Sequence, residues 1–151
     1  MRPILTIFLT LGLGGLASAQ MSAAGLSEAD KAAWQEAQDD GLDAPSDLED
    51  LAYCAVIWED WKTDLEKSDQ TSAMPDYLDL KSAKTHAWAY DQVYNMTQKQ
   101  EFPEWTGTAE SFGPFLTAVS EVSDAKTKYR DEYFWGLSWC YRDDLFEKSR
   151  A

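Results

Sequence analysis

Apolar residues recur at helical spacing through most of the chain. Leu51, Cys54, Trp58, Trp61 and Leu65 follow one another at intervals of three and four, which lines them along one face of an α-helix. The spacing predicts a core helix over about Asp47 to Lys67, entered through a capping box of Ser46 and Glu49 and carrying Cys54 inward among the aromatics. Upstream, Ser27 is placed to cap a short helix through Ala29, Ala32, Ala33, Trp34 and Ala37, with Glu28 and Asp30 in its first turn and Gly41 near its end. Downstream, Pro75 and Asp76 mark a third entry, and Leu80, Ala83, Ala87, Tyr90 and Tyr94 keep the period until it fades near Lys99. Phe102 to Gly107 reads as a turn that holds two large aromatics, Phe102 and Trp105.

Thr108 can cap a further helix, with Pro114 in its first turn or just after a break at Gly113. Phe115, Ala118, Val122, Ala125 and Tyr129 continue the pattern to Tyr133, Leu137 and Cys140. One helix from Pro114 to Lys148 would run 35 residues, roughly 52 Å. An interruption is therefore expected, either in the polar run 120–128 or at Gly136. Strand-like alternation and internal repeats are absent from the sequence. The economical fold is an all-α bundle of four or five helices.

The first residues belong to a different pattern. Arg2, an apolar run from Ile4 to Leu16 and the small residues Ala17, Ser18 and Ala19 have the three parts of a signal peptide, with cleavage expected after Ala19. Residues 20–26 would then form a flexible leader and 27–151 a single helical domain. Gln20 occupies the position where lipid attachment requires cysteine, and no later stretch is long and apolar enough to span a bilayer. The expected product is periplasmic or secreted, without a membrane anchor. In that compartment Cys54 and Cys140 should pair. The bond would staple the second helix to the last, bringing the two Cα atoms within about 7 Å.

Charge changes the choice of partner. The formal net charge is −14 and becomes −15 once Arg2 leaves with the leader. Such a surface repels nucleic acid and speeds encounter with a cationic protein.

Candidate chemistry is thin. His86 is the only histidine, which excludes paired E-x-x-H di-metal bundles and multi-histidine zinc sites. A hydrolase nucleophile elbow and a C-x-x-C-H haem attachment are both missing, and His86 with Met74 or Met96 is too generic a pair to imply haem. The acidic run through Asp39, Asp40, Asp43 and Asp47 lacks the order of a calcium loop. No cofactor, metal or catalytic residue is assigned.

Two features point toward binding instead. From Tyr133 to Tyr141 the helix is apolar nearly all round. Tyr133, Leu137 and Cys140 can enter the core, leaving Phe134, Trp135 or Trp139 to cover a second surface. With Phe102 and Trp105 these are the candidate binding residues, unless a thick core absorbs them against the first helix and the 102–105 turn. The expected function is an acidic helical binding protein, of the inhibitor or immunity type, for a cationic envelope protein. The alternatives are a bundle that holds a small ligand or metal, and a hydrolase of cell-wall polymer using Glu59 and Asp64 beside a Trp58 or Trp61 wall.

Overall fold

Ser27 caps the first helix as its side chain predicts. In the computed structural model, which describes residues 25–68, 74–104 and 109–143, the Ser27 hydroxyl accepts from the Asp30 N–H at 3.1 Å and the Asp30 carboxylate accepts from the Ser27 N–H at 3.0 Å. Helix α1 spans Glu28–Asp39. Gly41, just past its end, has a φ of +60°, a conformation glycine adopts without steric cost. The expected signal peptide, most of the expected leader and Trp105 lie outside the described residues.

Helix α2 spans Leu48–Lys67. Its N-cap is Asp47, whose carboxylate accepts from the Asp50 N–H at 2.8 Å, rather than Ser46. Both residue types cap well, so burial decides: starting one residue later places Leu48 and Leu51 together in the core. All five residues of the sequence pattern, Leu51, Cys54, Trp58, Trp61 and Leu65, are buried.

A short 3₁₀ turn, Asp76–Leu78, precedes α3 at Leu80–Glu101. The Trp61 indole N–H donates to the Leu78 carbonyl at 3.0 Å and pins this turn to α2. Asp79 caps α3 by accepting from the Ser82 N–H at 2.7 Å. Ala83, Ala87, Tyr90 and Tyr94 face the core, whereas Leu80 is half-buried.

Helix α4 spans Ala109–Lys128 and contains Pro114 within it. Gly113 is therefore not a break, and the helix accepts the loss of one backbone donor near its start. The interruption falls at Tyr129 (φ −137°, ψ 68°), immediately after the polar run, and α5 follows at Arg130–Trp139. Gly136 lies inside α5. A Cβ there would run into the Tyr53 hydroxyl and stand 3.0 Å from Ile57 Cδ1, so this glycine permits the close approach of α5 to α2 rather than a bend.

Helix α2 is the hub, packing along α3 and α4 and also touching α5, while α1 packs along α5. Five α-helices therefore form an all-α bundle among the described residues. Cys54 on α2 and Cys140 at the end of α5 are disulfide-bonded, with Cα atoms 5.4 Å apart. The Tyr90 hydroxyl donates to the Cys140 carbonyl at 2.6 Å, tying α3 to the same point.

Candidate functional site

The aromatics of α5 divide by direction. Phe134 is 1% exposed and its ring meets that of Trp61 edge-on at 5.5 Å. It is a core residue and cannot serve as a surface anchor, because α5 is covered by α1 on one side and by α2 and α4 on another. Trp135 and Trp139 are half-buried and stacked at 6.1 Å. Their indole N–H groups donate to the Asp40 carboxylate at 3.3 Å and the Asp43 carbonyl at 3.1 Å, which folds both rings onto the link between α1 and α2. Phe102 is half-buried against the core. Of the candidates on α5, Phe134 is thus separated from Trp135 and Trp139, which stack together. Trp135 alone lines a depression of about 440 Å³, with Tyr53 and the carboxylates Glu36, Asp131 and Glu132. Burial, aided by Glu121 and Glu132, pushes the Tyr53 hydroxyl up to about 12, so it stays protonated there.

The main exposed apolar surface lies elsewhere. Helices α3 and α4 each pack along α2 but not along each other among the described residues. They approach where Tyr94 and Phe115 bring their rings to 6.5 Å. Between them runs a groove of about 790 Å³ floored by α2. Trp88 and Ala87 of α3 face Phe115 and Val119 of α4 across it, above Ala55 and Val56 of α2. Trp88 is 52% exposed, Phe115 41%, Val119 44% and the neighbouring Leu116 64%. Exposed apolar side chains grouped in this way make the groove the candidate site.

Helix α4 is two-faced. Ala118, Val122 and Ala125 point into the core, while Phe112, Phe115, Leu116 and Val119 occupy the outward positions i, i+3, i+4 and i+7. Phe115 and Tyr129, both counted with the core period on sequence, are exposed. The sequence carries a signal for this face: residues 111–120 contain no charge, in a chain that is 26% charged.

Acidic groups surround the groove. Its lining includes Glu59, Asp60, Glu66 and Asp91 against Lys62 and Lys84. Both lysines are held in ion pairs, Lys62 with Glu59 at 2.6 Å and Lys84 with Glu66 at 3.5 Å. Lys126 of α4 bridges Asp60 at 2.8 Å and Asp64 at 2.7 Å. Burial alone would lower the Lys126 pKa, but the two carboxylates outweigh it and the ammonium is held above its usual range. Asp60 also accepts from the Tyr133 hydroxyl at 2.7 Å. Glu59 and Asp64, the carboxylates a hydrolase would need, are thus each paired with a lysine. The indoles expected to wall such a cleft, Trp58 and Trp61, are 0% and 2% exposed and belong to the core.

His86 is fully buried, stacked between Trp58 at 4.4 Å and Tyr141 at 4.9 Å. Its Nδ1 lies 2.9 Å from the Ser82 carbonyl and its Nε2 accepts from the Arg142 N–H at 3.2 Å. That pattern fits a neutral ring with the proton on Nδ1. Among the described residues, no group of three His, Cys, Asp or Glu side chains is arranged to hold a metal. No helix among them is long and apolar enough to cross a membrane. Comparison with protein-family models, curated proteins and solved structures finds no match for the chain.

Proposed function

We propose that the protein is an exported, disulfide-stapled binding module that engages a cationic protein partner through the groove between α3 and α4. One observation carries this reading: Trp88, Phe115, Leu116 and Val119 stand exposed around a groove on a chain of net charge −14. Leaving that much apolar area in water forgoes roughly 25 cal/mol for each Å² not covered, and aromatic anchors in a pocket are what protein interfaces use. The acidic field favours a basic partner and raises the rate of encounter. The Cys54–Cys140 bond and the signal-peptide pattern before Gln20 both support an oxidising destination.

The test is a bait comparison. Protein secreted by an expressing host, beginning at Gln20, is immobilised beside a Trp88→Ala/Phe115→Ala variant and offered envelope extract. The wild type is expected to retain a basic protein at low salt and release it as ionic strength rises, and the variant to retain at least about ten-fold less. Identical capture by both baits, or none by the wild type, overturns the reading.

A further inference from the structure

We infer, resting on the groove as the docking surface, that its occupant is a basic amphipathic α-helix of the partner, lying on α2 between α3 and α4. The groove runs between α3 and α4, which each pack along α2, so an occupant would lie on α2 with a helix on either side. Its floor and inner wall carry the small side chains Ala55 and Ala87 beside Val56, and its outer walls carry Trp88 and Phe115. Small residues beneath a contact let helix axes approach, while the large ones interdigitate with side chains of the incoming face.

Backbone chemistry favours a helix over an extended segment. Ala55, Val56, Ala87, Trp88, Phe115 and Val119 offer no partners for peptide N–H and C=O groups, Glu59, Glu66 and Asp60 in the same lining are engaged by lysines, and no β-strand is present among the described residues to extend by main-chain pairing. A strand laid here would bury unpaired backbone, whereas a helix arrives with its backbone bonds already made. Charge sets the composition of its polar edge. The lining carries four carboxylates against two lysines, and although Glu59, Glu66 and Asp60 each pair with a lysine, the chain around the groove has a net charge of −14. The incoming helix therefore presents an apolar stripe flanked by Lys or Arg. A second copy of this chain meets the opposite condition, because two bodies of charge −14 repel.

Three synthetic peptides of about 18 residues separate these possibilities, a length that gives about five helical turns. One places Leu and Lys in helical order, one has the same composition in strict alternation, and one places Leu and Glu in helical order. Binding to the full exported protein is measured by calorimetry at about 150 mM salt, where long-range attraction is screened, and helix gain by circular dichroism. The helical Leu/Lys peptide is expected to bind at least about ten-fold more tightly than either of the others and to gain helix on binding. Trp88→Ala/Phe115→Ala is expected to weaken it by a similar factor, as is Val119→Lys, which places a cation in the groove and guards against a folding defect in the first variant. Tighter binding of the alternating peptide, or no binding of any peptide, overturns the helical occupant while leaving the groove to the bait comparison. Helical-peptide binding that neither variant weakens overturns the groove itself.

Discussion

His86 and Asp30 show how differently two buried polar residues can be accommodated. Burial pushes the His86 imidazole below its ordinary 6.5, and the Ser82 carbonyl and the Asp143 charge, which favour protonation, do not reverse it. Between the folded pKa and 6.5 the unfolded chain binds more protons, so stability falls as pH drops through that window and levels off below the folded value. His86 is the only histidine, so its titration can be followed by NMR without assignment ambiguity. The expected midpoint lies below 6.5, and a midpoint at or above it contradicts the neutral stacked ring. For Asp30, burial raises the pKa, but the Arg130 hydrogen bonds at 2.9 and 3.0 Å and those from Ser27 outweigh it and hold the carboxyl below its usual range. Its contribution is present at neutral pH and is lost as acid protonates it. The place of Asp30 in the first turn after Ser27 was legible in the sequence. The ion pair to Arg130, a hundred positions away, was not, because nothing in local spacing links those residues.

At the scale of elements, the sequence pattern of α2 picked out residues that are all buried, because the hub helix is covered by neighbours on several sides. The patterns of α4 and α5 were less decisive, because each helix carries apolar residues on more than one side, and periodicity alone cannot say which side another helix will cover. Tertiary packing gives α5 three neighbours and leaves Phe112, Phe115, Leu116 and Val119 of α4 largely exposed. Gly136 illustrates the same limit: a glycine in an apolar helix reads as a break, yet here it makes room for the Tyr53 hydroxyl. Gly136→Ala gains up to about 1 kcal/mol of helix propensity and meets an overpacking cost of roughly 1 to 3 kcal/mol. The expected net result is destabilisation by about 1 to 2 kcal/mol in urea denaturation. In a Tyr53→Phe background the nearest obstacle is gone, and the same change is expected to cost less than half as much. Equal cost in both backgrounds would mean that Tyr53 is not what the glycine accommodates.

For the whole molecule, the Cys54–Cys140 bond closes a separation of 86 residues and joins the hub helix to the last one. Constraining an unfolded loop of that length contributes roughly 4 to 5 kcal/mol in the chain-entropy account. Cys54→Ser with Cys140→Ser is expected to lose about 4 kcal/mol in denaturant unfolding, and reduction of the wild type to do the same. A loss under about 1 kcal/mol would show that the helices hold their register without the bond. The groove does not depend on that clamp alone, since Lys126 also ties α4 to α2 through Asp60 and Asp64.

Local spacing was enough to determine the helical class, the cap at Ser27 and the buried pattern of α2, and the pairing of Cys54 with Cys140 followed from there being two cysteines behind a signal-peptide pattern. These depend on interactions within a few residues or on a single long-range choice between two thiols. Which apolar faces remain in water was decided only when the helices were assembled. A face is exposed because no neighbour covers it, and that is a property of the three-dimensional arrangement of α2, α3 and α4 rather than of any one helix. Phe115 is therefore in phase with the core aromatics of the sequence pattern and stands apart from them in the structure.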